Sequence, residues 1–150
     1  MRISLIIFII LIALAASITM VAQESRVTLT IKMVHQQVGM VLLSVYSDPS
    51  QYAYEPGIWF EIPKSSTKDS TIVFEFDLPK PGRYALAVLD DENSNGELDR
   101  NFLGLPVEGF GFSNNFIAKG LNIPHYEDLL VTFNKGLNEI VVEIRHWKLF

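Results

Sequence analysis

Short segments in which apolar and polar residues alternate recur along the chain, and turn residues separate them. The first segment, Val27 to Val34, reads V-T-L-T-I-K-M-V and places Val27, Leu29, Ile31 and Met33 on one face. Alternation with a period of two is typical of a half-buried β-strand. Further segments lie at 40–46, 58–62, 71–76, 83–89, 129–133 and 138–145. Since no segment keeps a helical period for more than two turns, the pattern predicts a chain of strands.

The segments also indicate where each strand lies. Met40 to Tyr46 is apolar on nearly both faces, which favours a central strand, whereas Ile58 to Ile62 stops at Pro63 and favours an edge. Lys64 to Ser70 is polar, and we expect no core residue from it. Six or seven short strands predict an all-β, antiparallel two-sheet sandwich, either immunoglobulin-like or transthyretin-like. The inward positions expected in its later strands are Ile72, Phe74, Phe76, Ile140, Val142 and Ile144.

The N-terminus has the features of an export signal. Arg2 precedes an unbroken apolar run from Leu5 to Ala16, and small residues follow it. This run suits a signal peptide and is short for a spanning helix, which needs about 20 residues. We predict a signal peptide over residues 1–22 and one β-sandwich domain over 23–150, exported to the periplasm or the extracellular space without stable membrane insertion. The alternative is an uncleaved anchor from Ile3 to Ala22.

Charge and residue types exclude several functions. The formal net charge is −5, whereas nucleic-acid binding and docking on anionic lipid need a basic face. The absence of cysteine removes thiol catalysis and thiolate metal sites. His35, His125 and His146 are scattered, and Ser113 is not in a G-x-S-x-G turn. We therefore expect a protein that is not an enzyme.

A long stretch without a clear strand, residues 90–128, carries the most specific chemical pattern. Within it, D-E-N-S-N-G-E-L-D fits the spacing of an oxygen-rich calcium loop. The predicted donors are side-chain oxygens and one backbone carbonyl, from Asp91, Asn93, Asn95, Glu97 (carbonyl) and Asp99. A loop this long in a compact domain is usually functional or ordered by its own packing.

The match to an EF-hand is partial. Position twelve is Phe102 in place of a bidentate Glu, so Glu108 or a backbone group would complete the shell. These departures predict weak calcium binding, with a dissociation constant of about 10⁻⁴–10⁻³ M. Two alternatives stay open, namely a solvated Asn/Gly turn that caps its own backbone and a site for another metal.

The following stretch, residues 101–116, is rich in aromatic residues and glycine. Its side chains are candidates for binding a small ligand, a sugar or a peptide, and the candidates are Phe102, Glu108, Phe110, Phe112, Asn114 and Asn115. The alternative is a satellite core, in which the rings fold the loop onto the sandwich and glycine permits close approach. In that case Asn114 and Asn115 satisfy loop backbone groups.

Three runs in register carry a family resemblance: P-G-R-Y-A-L-A-V at 81–88, D-E-N-S-N-G-E-L-D at 91–99 and N-F-L-G-L-P-V-E-G-F-G-F-S-N-N at 101–115. With them the chain resembles the bacterial domain-of-unknown-function family 2141. Ser94 and Glu97 stand where that family commonly has glycine and lysine. The resemblance implies a small exported β-sandwich without an established activity. The acidic loop is also similar to those of surface-adhesin B-type repeats, where calcium rigidifies a β module, which is an analogy of fold only.

Three hypotheses follow from the sequence. The first is an exported, non-enzymatic β-sandwich module stabilised by calcium, whose partner is a periplasmic or cell-surface protein or a glycan. The second is a small-ligand or glycan-binding protein that uses the aromatic loop. The third is an enzyme of unrecognised type, and a pocket that pairs Ser113 or His125 with an acid would support it.

Overall fold

The computed structural model describes residues 24–35, 38–117 and 122–146. The predicted signal peptide lies outside these residues. Among the described residues there are eight strands, namely β1 (Ser25–Lys32), β2 (Met40–Tyr46), β3 (Ile58–Pro63), β4 (Thr71–Leu78), β5 (Gly82–Asp91), β6 (Gly109–Phe112), β7 (Val131–Phe133) and β8 (Gly136–Glu143). The helices in these ranges are short 3-10 turns at Lys64–Ser66, Ser113–Asn115 and Tyr126–Leu129, and none is long or apolar enough to cross a membrane.

The strands form two sheets, which confirms the predicted all-β sandwich. One sheet has the order β4-β1-β8, and the other has the order β3-β2-β5-β6, with β7 pairing the first residues of β5. The central position of β2 and the edge position of β3 are as predicted. Every pairing is antiparallel except β1 with β8, which run parallel. A parallel pair needs a long crossover, and here most of the chain separates the two strands.

The core lies between the sheets and follows the predicted alternation. In β1 the inward residues Val27, Leu29 and Ile31 are fully buried, and Val142 of β8 lies in the same core. The opposite sheet contributes apolar side chains from alternate positions of β2 and β5, which are Val41, Leu43, Val45, Leu86 and Val88. Since side chains alternate across a strand, the neighbouring residues of β2 and β5 face away from the core.

Four local predictions are wrong. Strand β1 ends at Lys32, because Met33 takes a positive φ of 65° and its side chain is 61% exposed. Lys64, expected outside the core, is fully buried. Strand β7 begins two residues later than predicted and ends at Phe133 as predicted, whereas β8 begins and ends two residues earlier than predicted. Ile144 remains buried as expected.

The fourth wrong prediction is the lack of a strand within residues 90–128, because β6 lies there. Its sequence alternates glycine and phenylalanine, and glycine ordinarily weakens a strand. Here the missing side chain has a packing reason. A Cβ on Gly111 would lie 2.7 Å from the carbonyl oxygen of Glu143 in β8, so only glycine lets β6 approach the other sheet this closely.

Candidate functional site

The acidic loop begins at the last residue of β5 and turns sharply back toward it. The Asp91 carboxylate is buried and accepts two backbone N–H groups, from Asn95 at 3.2 Å and from Gly96 at 2.9 Å. Ser94 and Gly96 have positive φ angles of 60° and 81°. Glycine takes such angles without strain, which is the role predicted for Gly96.

The other predicted donors meet on the same loop. The side-chain amide of Asn93 donates to Asp99 Oδ2 at 2.7 Å, and that of Asn95 donates to Asp99 Oδ1 at 3.1 Å. Their Oδ1 atoms accept backbone N–H groups of Asn95 and Glu97, at 3.0 and 2.8 Å. The Glu97 side chain is exposed. The loop thus brings Asn93, Asn95 and Asp99 into contact, and the Asn95 N–H joins this group to Asp91, while the Glu97 side chain is exposed.

Glu108 holds the two ends of this loop together. Its buried carboxylate accepts the N–H of Glu92 at 2.9 Å and the N–H of Asp99 at 3.0 Å, one on each oxygen. An unpartnered N–H at these positions would be costly to bury, and a carboxylate satisfies both at once. Glu108 therefore lies behind the loop and closes it at its base.

A cavity of about 260 Å³ lies on the outer face of the five-stranded sheet, beside the acidic loop. Its floor is formed by outward side chains of β2, β5 and β6, and its wall by the acidic loop and the segment before Tyr126. Most of the lining is apolar, and it includes Leu42, Ser44, Leu98, Arg100, Phe110 and Phe112. Small-molecule sites are typically concave, mostly apolar and provided with a few polar groups.

The structure separates the predicted ligand-binding residues into two groups. Phe110 and Phe112 line the cavity, with ring centroids 5.8 Å apart. Phe102 is 95% exposed on the tip of the loop and does not line it. The asparagines bind backbone, because Asn114 donates to the carbonyls of Asp128 and Leu130, and Asn115 accepts the N–H of Glu143.

Ser113, the serine considered as a nucleophile, bridges backbone groups inside the fold. Its buried hydroxyl accepts the N–H of Leu86 at 3.0 Å and donates to the carbonyl of Leu129. Leu86 lies between the part of β5 that pairs β6 and the part that pairs β7. The hydroxyl therefore supplies hydrogen bonds at Leu86, which neither β6 nor β7 reaches.

Sequence reasoning missed a cluster at one end of the sandwich. Lys64 and Asp90, both fully buried, form an ion pair, and His35, Glu92 and His146 lie next to it. No local spacing could reveal this cluster, because its members come from four separate parts of the chain. The only signal was indirect, in that Asp90 occupies an inward position of a buried strand.

The fold and this site define a class: a small β-sandwich whose long acidic and aromatic loop folds over the outer face of one sheet. The chain belongs to the family described as uncharacterized protein conserved in bacteria (DUF2141), whose model matches residues 29–141. This match confirms the resemblance seen in the sequence. No curated protein and no solved structure matches the chain.

Proposed function

We propose that this protein is an exported, non-enzymatic binding module that holds a small, largely apolar molecule in the cavity beside β6. The observation that carries the proposal is the composition of the lining, in which Phe110 and Phe112 face aliphatic side chains such as Leu42 and Leu98. A mostly apolar lining favours an apolar ligand over a glycan, which needs many hydrogen-bond partners. Arg100 adds one cationic group at the wall, suited to an anionic or polar end of the ligand.

The test is binding of the fluorescent dye anilinonaphthalene sulfonate, which combines aromatic rings with an anionic group. Ser44 lines the cavity, and Ser44→Leu places a larger side chain in it. Exposed Ser47 carries the matched control, Ser47→Leu. We expect saturable dye binding by the unaltered protein and by the control, and at least tenfold weaker binding by Ser44→Leu. Equal dye affinity in the two variants would refute the proposal, with near-UV circular dichroism confirming that both are folded.

We further propose that the acidic loop binds calcium and that the ion holds the loop in place as the cavity wall. The support is the grouping of Asn93, Asn95 and Asp99 on one loop, where both side-chain amides contact the Asp99 carboxylate and the Asn95 N–H contacts Asp91. Calcium prefers six to eight oxygen donors from carboxylates, amides and carbonyls. On binding, the Asp99 carboxylate would exchange its two amide partners for the ion.

Thermal unfolding with and without calcium tests the metal proposal. At ten times a dissociation constant of about 1 mM, calcium would stabilise the fold by about 1.4 kcal/mol and raise Tm by several degrees. We expect Asp99→Asn to abolish this rise. Glu97→Gln removes the same charge from an exposed side chain of the loop and should keep it. An unchanged Tm for the unaltered protein in calcium would exclude the site.

A further inference from the structure

Two histidines meet at one end of the sandwich because β1 and β8 run parallel. The last paired residues of these strands are Lys32 and Glu143, which face each other in register. His35 and His146 each follow three residues later, so the chain delivers them side by side, with ring centroids 4.1 Å apart. Strand β5 ends at the same place and contributes Asp90 and, just beyond it, Glu92.

The distances between the donor atoms fit one small metal ion. His35 Nδ1 lies 3.4 Å from Glu92 Oε1, and His146 Nε2 lies 3.7 Å from the same oxygen. All three donor atoms lie within 4.8 Å of one another. Bonds of about 2.0–2.1 Å to a tetrahedral zinc ion place neighbouring ligand atoms about 3.3–3.4 Å apart. Small side-chain rotations would therefore complete the geometry.

The buried ring nitrogen of His146 gives a second, independent indication of a ligand. Nε2 is inaccessible to solvent and has no hydrogen-bond partner among the residues that the structure describes. It points toward two carboxylates, with Asp90 Oδ2 and Glu92 Oε1 both 3.7 Å away. Gly109 makes room for the ring, because a Cβ there would lie 2.6 Å from Nε2. A cation placed between this unpartnered buried nitrogen and the two carboxylates would supply the partner that the nitrogen lacks.

The surrounding charges also favour a dication. The Lys64 ammonium pairs with Asp90 inside the protein, so these two charges balance and Glu92 leaves the cluster with a net negative charge.

Asp90 also positions one of the donors. Its Oδ2 accepts the backbone N–H of His35 at 2.7 Å, and Lys64 Nζ donates to the carbonyl oxygen of the same residue. The His35 side chain is exposed, but its backbone is fixed by hydrogen bonds to the buried side chains of Asp90 and Lys64. Partners of this kind orient metal ligands and are as much part of a metal site as the ligands themselves.

We propose that His35, Glu92 and His146 bind a divalent transition-metal ion of the zinc type where β1, β5 and β8 end. Two imidazole nitrogens and one carboxylate oxygen suit zinc and its neighbours, whereas calcium and magnesium prefer oxygen donors only. A water molecule or Asp90 Oδ2 would supply the fourth ligand. Glu92 lies on the acidic loop. The two proposed sites nevertheless share no donor, because the Glu92 side chain is not among the donors proposed for calcium.

Zinc titration in competition with a chromophoric chelator tests the site. We expect one equivalent of zinc to bind the full chain, and His35→Ala and His146→Ala each to lower the zinc affinity at least tenfold. The matched control is His125→Ala, which removes an exposed histidine outside the cluster. Zinc affinities in both cluster variants equal to that of the control, or no zinc binding by the unaltered chain, would overturn the proposal.

Three further measurements keep the result unambiguous. His35 is largely exposed, so His35→Ala is expected to fold and carries the test if His146→Ala does not. Cobalt substitution should give the visible absorption of a tetrahedral site in the control and lose it in His35→Ala. Excess calcium and the variant Asp99→Asn should both leave zinc affinity unchanged. Loss of zinc binding in Asp99→Asn would place the ion on the acidic loop and contradict the assignment.

Discussion

Lys64, a buried lysine at one end of the sandwich, shows how the stability of one buried charge depends on one partner. The side chains of Lys64 and Asp90 are both fully buried and form an ion pair. Removing one member of such a pair leaves the other charge unpaired, at a cost of about 3–5 kcal/mol. We expect Lys64→Met to lower the free energy of unfolding by this amount, measured by urea denaturation.

Exposed Lys68, four residues further on, offers the matched control. Lys68→Met should change stability by less than about 0.5 kcal/mol. Adding Asp90→Asn to Lys64→Met should recover part of the loss, because it removes the unpaired charge. Equal stabilities for Lys64→Met and Lys68→Met would mean that the ion pair contributes nothing.

The closure of the acidic loop likewise depends on one residue, Glu108. Its carboxylate accepts the N–H groups of Glu92 and Asp99, at the two ends of the acidic loop. Hydrogen bonds to a charged group contribute about 1.5–3 kcal/mol. Glu108→Gln keeps one acceptor oxygen and turns an amide N–H₂ toward the other donor. We expect a loss of this size, together with faster amide hydrogen exchange at Glu92 and Asp99.

The comparison for this prediction is Glu97→Gln, measured in a chelator so that calcium plays no part. Its side chain is exposed, and the change should leave both stability and the two exchange rates as they were. If the amide hydrogens of Glu92 and Asp99 exchange no faster in Glu108→Gln than in Glu97→Gln, other contacts close the loop.

Residues of the candidate site were predictable where local spacing determines their place. The D-x-N-x-N-G pattern brings Asp91, Asn93 and Asn95 together within one turn, so sequence reasoning found them. Lys64 could not be found this way, because a lysine in a polar run has no local feature that distinguishes burial from exposure. Its partner Asp90 is distant in sequence, and only the completed sandwich brings the two charges together.

Among the elements, β6 is the one whose packing depends most on the absence of side chains. A Cβ on Gly111 would lie 2.7 Å from the Glu143 carbonyl oxygen and 2.9 Å from Val142 Cγ1. Overpacking of this kind typically costs about 1–3 kcal/mol. We expect Gly111→Ala to lower stability within this range and to weaken dye binding, because Phe110 and Phe112 shift with the strand.

Gly57→Ala is the appropriate comparison, since a Cβ there would meet only Gln51 Oε1, at 4.0 Å. It should be neutral or slightly stabilising, because alanine restricts the unfolded chain. Stability and dye binding of Gly111→Ala equal to those of Gly57→Ala would show that β6 adapts to the added methyl group.

The strands that the sequence predicts well are those whose own side chains fill the core. Strand β2 has the predicted bounds, Met40 to Tyr46, because apolar residues on both faces leave little alternative. Strand β6 was missed because its stability comes from contacts made by backbone rather than by side chains. The alternation of glycine and phenylalanine does not by itself predict a strand, because the close contacts that require glycine are made with β8.

At the scale of the whole molecule, the parallel pairing of β1 with β8 is the feature that the sequence did not predict. Ser25 pairs in register with Gly136, so this strand pair joins residues that are 111 positions apart in the chain. Strand pattern predicts that a sandwich forms, yet it does not determine which strands are neighbours or their direction. The His35–His146 contact depends directly on this parallel pair.

The acidic loop forms part of the cavity wall, so calcium binding and ligand binding, if both occur as proposed, should affect each other. Gly96, Leu98 and Arg100 belong to the loop or follow it directly, and they line the cavity. A calcium ion that orders the loop therefore orders the wall before a ligand arrives. By thermodynamic linkage, calcium and the ligand must then raise each other's affinity by the same factor, which is typically fivefold or more, about 1–3 kcal/mol.

Titrating anilinonaphthalene sulfonate with and without saturating calcium, and calcium with and without the dye, measures both factors independently. We expect the two factors to agree and to exceed about five. Asp99→Asn should still bind the dye, with the affinity of the calcium-free protein, and should no longer respond to calcium. A protein that binds both partners with unchanged affinities would show that the wall is already in place without the ion, so that the acidic loop stabilises the fold without preparing the cavity.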